Sequence, residues 1–278
     1  MEPAQTLRMA RAGSGLAWAA VFFVLATIVS QLCLWALRGL TSDILLLATL
    51  SVLPAALAVS FVLPRQNGAE PWAGLGLVFV GRPLVLGIGL GVAAVVAVVA
   101  VLVLAGLGKV ETDQPTRVPL FLLALIAGVA GEELLFRGYG FQQLSRALTP
   151  LGAAGATGLA FGVLHYSNPG ATPLSAVNTG LFGLLFGVAL VRHRSLWLPF
   201  GIHLAWNLSL AILGATVSGL TMRLTTLEIV PTGSPYWSGG AYGPEASPLV
   251  TVTVLVLLVV VWRQPVETDR RRLIWDED

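Results

Sequence analysis

The chain has 278 residues, of which 56% are hydrophobic and only 11% charged, with mean hydropathy +0.83 and formal net charge +2. Soluble globular domains carry about 25% charged residues, so this composition excludes an ordinary soluble enzyme and predicts an all-α, polytopic membrane protein. The slight basic excess reads as topology control rather than a nucleic-acid patch, and the single cysteine, Cys33, excludes both an internal disulfide framework and a cysteine metal cluster.

Hydrophobic runs give about eight candidate membrane helices, at 14–38, 43–63, 83–107, 118–146, 151–166, 173–191, 196–214 and 247–262. Arg8 and Arg11 precede the first, but the apolar stretch from Gly15 to Leu37 is too long for a signal-peptide core and lacks a clear cleavage site, so it reads as a retained helix. The segment Trp72 to Arg82 is too short to span and is expected along the interface. The fourth run is long enough to tilt or to project beyond the bilayer. Together the runs describe a single membrane domain over 1–278, with a motif-bearing core at 118–214, an extracytoplasmic loop at 215–246 and a cytoplasmic tail at 263–278.

Arginine placement orients this map. With the N-terminus inside, Arg8, Arg11, Arg65, Arg82, Arg146, Arg192, Arg194, Arg263, Arg270, Arg271 and Arg272 face the cytoplasm, against Arg38, Lys109, Arg117 and Arg223 outside. That bias is the one the positive-inside rule expects, and it puts both termini in the cytoplasm. Glycine patterns have a packing explanation. Gly158 and Gly162, and Gly183 and Gly187, sit at small-xxx-small spacing that lets helices approach closely. Gly87-Ile-Gly-Leu-Gly91 lies inside an apolar span with no strand before it, so it reads as packing rather than a nucleotide loop.

Against this background the fourth run carries Glu132, Glu133 and Arg137. Ionisable groups at bilayer depth cost roughly 2.5–3.5 kcal/mol each on insertion scales, so they mark a partner or a task. Glu133 and Arg137 stand at i and i+4 in the favourable order and can neutralise each other. Glu132 is turned about 100° away and needs a different partner. Of the three histidines, His193 lies between two arginines in a turn and reads as a solvated loop residue. His165 ends the fifth helix, and His203 opens the seventh with Asn207 one turn below it. Counting 1.5 Å per residue from the 147–150 turn places Glu132 and His165 level, about 20 Å away, with His203 nearer the cytoplasmic side.

The chemistry this set suits is water-mediated hydrolysis. A carboxylate without an ion-pair partner in a low-dielectric cavity is raised toward general-base duty, which falls to Glu132 with His165 beside the same water. His203 and Asn207 can present N–H donors to a developing oxyanion. A zinc site built from Glu132, His165 and His203 is the rival arrangement; the absence of an H-E-x-x-H motif and the origin of the three donors on separate helices favour a metal-free site.

These residues form three ordered motifs: Glu132-Glu133-Leu-Leu-Phe-Arg137, Phe161-Gly-Val-Leu-His165 and His203-Leu-Ala-Trp-Asn207. The set resembles the CPBP (CAAX-protease and bacteriocin-processing, or Abi) family of membrane proteins over about residues 118–214. The resemblance implies an eight-helix, glutamate-type intramembrane endopeptidase without a cofactor, zinc being the alternative. It implies that the Glu132 and His165 positions activate water, the His203 and Asn207 positions hold the oxyanion, and Glu133 and Arg137 form a supporting ion pair. The substrates implied are hydrophobic or lipid-anchored peptides or proteins among membrane lipids, with no nucleic acid. The Ala-, Leu-, Val-, Gly- and Arg-rich composition points to a prokaryotic cell membrane. A non-catalytic peptide-binding or immunity protein and a proton-coupled transporter using Glu132 and His165 as a relay are the competing classes.

Overall fold

A computed structural model describes residues 3–66, 69–115, 118–222, 224–265 and 272–276, and for 3–11 and 44 the backbone alone. Arg117, Arg223, Arg270 and Arg271 of the orientation count lie outside the described residues, as do the side chains of Arg8 and Arg11. In chain order the elements are α1 (Pro3–Leu37), α2 (Ile44–Gln66), α3 (Pro71–Gly74), α4 (Gly81–Leu104), β1 (Gly108–Thr112), α5 (Val118–Arg137), α6 (Tyr139–Ala147), α7 (Pro150–His165), α8 (Pro173–His193), α9 (Trp197–Ile212), β2 (Leu227–Pro231), α10 (Pro235–Ser238) and α11 (Pro248–Arg263). Each of the eight apolar runs coincides with a helical stretch. Five stretches are long and apolar enough to cross a membrane: Ala12–Leu37, Leu45–Gln66, Gly81–Leu104, Val118–Ala147 and Pro173–His193. Two shorter apolar helices, α9 and α11, stand among them.

Helix starts are written locally. Thr149 caps α7 by accepting from Gly152 N–H, with Pro150 following it. Thr172 and Ser175 form a reciprocal capping box at the start of α8, with Pro173 following the cap. A hydroxyl cap followed by proline satisfies orphan N–H groups and presets the first helical φ. These caps fix where α7 and α8 begin and hence the register in which they meet.

That meeting depends on glycine. A Cβ on Gly162 would lie 2.4 Å from the Ala176 carbonyl oxygen, one on Gly158 2.7 Å from Leu184 N, and one on Gly183 2.7 Å from Gly158 Cα. Gly87 and Gly91 of α4 play the same part against α9, where a Cβ would meet the carbonyl oxygens of Leu198 and Ile202 at 2.5 and 2.7 Å. Both glycine patterns are therefore packing devices, as their spacing suggested.

Two departures from the sequence reading matter for the site. The fourth run is not one straight helix: α5 stops at Arg137 and α6 starts at Tyr139, hinged at Gly138, where a Cβ would lie 2.1 Å from the Leu134 carbonyl oxygen. The 215–246 segment is not a plain loop either. Its β2 pairs antiparallel with β1, from Gly108↔Pro231 to Thr112↔Leu227, and α10 and two short 3₁₀ turns follow.

The bundle has two distinct ends. At the strand end, Ile229 N–H of β2 donates to Gly214 O at 3.1 Å, and the Asn168 amide donates to the Ser218 carbonyl at 3.0 Å. At the tail end, Leu196 N–H donates to Gly76 O at 3.0 Å, the Trp197 indole donates to Leu77 O at 3.1 Å, and Arg194 pairs with Asp276. The Trp72–Arg82 segment thus packs against the start of α9, with Leu75 fully buried and Phe79 63% exposed.

Gly162→Ala tests the α7–α8 contact, because overpacking costs about 1–3 kcal/mol. Gly155, on the same helix, has nothing within 4 Å of an added Cβ, and alanine there gains helix propensity. In a thermal melt of detergent-solubilised protein Gly162→Ala should fall by several degrees and Gly155→Ala should not. Equal melting temperatures would contradict close glycine packing.

Candidate active site

Glu132, Glu133, Arg137 and His203 form one connected cluster. Arg137 is completely buried on the last turn of α5, its Nη1 3.5 Å from Glu133 Oε1. Its Nη2–H donates at 2.8 Å to the Gly183 carbonyl, which the glycine contact with α7 leaves in place on α8. The guanidinium also sits 5.1 to 5.6 Å from the ring centres of Phe136, Phe161 and Phe186. An ion pair and three aromatic faces are what a dry cation requires.

Glu133 has a second and shorter partner. His203 Nδ1 lies 2.8 Å from the same Oε1. A carboxylate can only accept, so Nδ1 carries the proton there. The imidazole is held flat against Phe186, with ring centres 4.8 Å apart and planes at 17°. Its other nitrogen, Nε2, stands 3.6 Å from Glu132 Oε2. The assignment of Glu133 to Arg137 alone is therefore incomplete, because Glu133 also fixes the tautomer and direction of His203. Side-chain exposure separates the two glutamates: 3% for Glu133 against 33% for Glu132.

The hinge at Gly138 resolves the depth mismatch between Glu132 and His203. Glu132 is five residues before the α5 terminus at Arg137, and His203 six residues after the α9 start at Trp197. At 1.5 Å per residue both are roughly 8–9 Å from the tail-end termini of their helices. Counting along one continuous helix adds α6 to this distance.

Glu132, His165, His203 and Asn207 all line a cavity of about 280 Å³ walled by Phe136, Phe161 and other apolar side chains. His165 closes α7, its Nδ1 2.8 Å from the Phe161 carbonyl oxygen. That oxygen can only accept, so the neutral ring has Nδ1–H and keeps Nε2 as an acceptor. His193 differs from its sequence reading: it closes α8 and is buried, at 7% exposed, rather than solvated. Among the described residues no three His, Cys, Asp or Glu side chains come together as a metal-binding group.

One cavity residue had no counterpart in the sequence reading. Glu245, assigned to the loop, is buried, lines the same cavity and accepts from the Trp206 indole at 3.0 Å and from Ser218. Its sequence surroundings, Gly243-Pro-Glu245-Ala-Ser-Pro248, resemble any turn before a helix, and only the fold carries it back over α9.

A bundle of apolar helices, five of them long and apolar enough to cross a membrane, is the architecture of a multi-pass membrane protein, and here it encloses a buried carboxylate–imidazole cluster and a hydrophobic cavity. Residues 114–209 match the family described as Rce1-like, type II CAAX prenyl endopeptidase Rce1-like, consistent with the CPBP/Abi family. The match takes in all three motifs and supports a CAAX-protease-like intramembrane peptidase acting on membrane-associated peptides or proteins. No curated protein matches the chain.

Removing Glu133 should cost more than removing Glu132. Glu133→Ala leaves Arg137 buried and unpaired, a loss of about 3–5 kcal/mol, and unties His203 as well. Glu132→Ala removes a partly exposed carboxylate from a cavity wall. Melting and gel-filtration profiles should show Glu133→Ala unstable or poorly expressed and Glu132→Ala near wild type; the reverse order would contradict the arrangement.

Proposed function

We propose that the protein is an eight-helix intramembrane endopeptidase of a prokaryotic cell membrane, with both termini cytoplasmic, that hydrolyses a peptide bond of a hydrophobic or lipid-anchored substrate. The observation that carries this reading is the division of labour between adjacent glutamates. Glu133 is buried and committed to Arg137 and His203, while Glu132 faces the cavity with a third of its side chain exposed.

In the proposed reaction a water lies between Glu132 and the free Nε2 of His165. Glu132 takes its proton as the oxygen bonds to the substrate carbonyl carbon, and His165 Nε2 orients the same water. The oxyanion that forms is held by the Asn207 amide and by His203 Nε2–H. Because Nδ1 of His203 already donates to Glu133, a proton on Nε2 requires the cationic ring. That charge is flanked by the Glu133 and Glu132 carboxylates, 2.8 and 3.6 Å from the two ring nitrogens. Collapse of the tetrahedral intermediate breaks the C–N bond, and the proton held by Glu132 passes to the leaving amine. No resident metal enters these steps. Support for that comes from the donor geometry, which gathers no three ligands among the described residues.

The proposal is tested with purified protein and a quenched hydrophobic peptide. Glu132→Gln, His165→Ala and His203→Ala should abolish cleavage while the proteins still fold. Asn207→Ala should lower kcat by about 10²–10³, the usual loss for one oxyanion donor. Wild-type turnover by Glu132→Gln would overturn the assignment. Activity lost on chelation and restored by added zinc would overturn the metal-free mechanism alone. A non-catalytic peptide binder would bind the peptide without cleaving it, and a transporter would show proton-coupled uptake in vesicles.

A further inference from the structure

The cavity has a second carboxylate at its strand end. Glu245 lines the wall beside Asn168, Thr179 and Ser218, and its position is set from both sides. Its carbonyl oxygen accepts from the Asn178 amide at 2.8 Å; the same amide nitrogen donates to Ser247 O at 3.0 Å, and the Thr251 hydroxyl holds the Asn178 Oδ1 at 2.6 Å. Its side chain accepts the Trp206 indole on Oε1 and both the N–H and the hydroxyl of Ser218 on Oε2. An ionised carboxylate offers about four lone-pair sites, and three are used here. Every donor is neutral, and among the described residues no lysine or arginine pairs with this carboxylate. The nearby Tyr242 phenol registers the environment: burial first, and then the Glu245 charge, push it up to about 12.

We propose that Glu245 makes the strand end of the cavity a subsite for an N–H donor, an amide or an amine of the substrate, and that it rejects a free carboxylate there. The proposal rests on the peptidase reading of the cavity. Trp206 is three residues beyond His203, about 4.5 Å along the α9 axis, and its indole reaches Glu245. A peptide with its scissile carbonyl at His203 and Asn207, running toward the strand end, therefore meets Glu245 within a few residues. One unfilled lone pair on a fixed anion suits an N–H group, whereas a second carboxylate at that point meets like charge across a low-dielectric cavity. The preferred cut is accordingly at an internal bond, or in a chain whose terminus on that side is blocked or cationic. If Glu245 were only a strut tying the roof to α9, the charge of the peptide end would not matter.

The test measures binding rather than turnover. It uses Glu132→Gln protein in nanodiscs and three fluorescent hydrophobic peptides that differ only in ending as a carboxylate, a carboxamide or an amine. The amide and the amine should bind at least tenfold tighter than the acid at low salt, with the gap shrinking as salt rises. Adding Glu245→Gln should collapse the gap to under threefold. Equal binding of acid and amide, a preserved gap in the double variant, or no binding by any of the three overturns the proposal. Should the double variant fail to fold, the salt dependence in the Glu132→Gln protein decides, because a strut gives no salt-sensitive discrimination. Failure of wild-type protein to cleave any peptide would sink the peptidase reading and leave this binding result standing.

Discussion

One oxygen of a buried carboxylate holds the site together. Glu133 Oε1 is 3.5 Å from the Arg137 guanidinium and 2.8 Å from His203 Nδ1. The first contact lets a cation stay in an apolar bundle; the second turns the imidazole so that its Nε2 faces Glu132 and the cavity. A carboxylate this deep is tolerable only because it is shared between charged or polar partners. Once it is committed, the neighbouring glutamate, about 100° around the helix, is the one available to water.

The rest of the fold keeps that oxygen dry and its partners in reach. Backbone-close contact of α7 with α8 through Gly158, Gly162 and Gly183 brings the Gly183 carbonyl to Arg137 and Phe186 to His203. Gly87 and Gly91 let α9 lie against α4, which fixes the helix bearing His203 and Asn207. The hinge at Gly138 brings Glu132 to the height of His203. Segments far apart in sequence close the two ends: 194–196 and 272–276 at one, and 108–112, 168, 218 and 227–231 at the other.

Much of this was legible in the chain because the information is local. Apolar runs marked the helices, i to i+4 spacing marked the Glu133–Arg137 pair, and small-xxx-small spacing marked the close contacts. The three ordered motifs singled out Glu132, His165, His203 and Asn207, all of which line one cavity. What escaped was set by tertiary contact. A helical wheel represents one helix, so it could not show that Glu133 also serves His203 on α9. The hinge at Gly138 sits within a run whose hydropathy continues past it. The β1–β2 pairing joins five-residue strands separated by more than a hundred residues of chain, and Glu245 reaches the cavity only because the segment after α9 folds back. His193 was misplaced for the same reason: its arginine neighbours suggest solvent, while the packing of the α8 terminus buries it.

The shared carboxylate can be observed directly by ¹⁵N NMR of histidine-labelled protein, where the chemical shift of each ring nitrogen reports whether it bears a proton. The His203 Nδ1 resonance should be that of a strongly hydrogen-bonded N–H, unchanged in Glu132→Gln and lost or shifted in Glu133→Gln. A bare Nδ1 on His203, or one indifferent to Glu133→Gln, would contradict the arrangement from which the division of labour between the two glutamates follows.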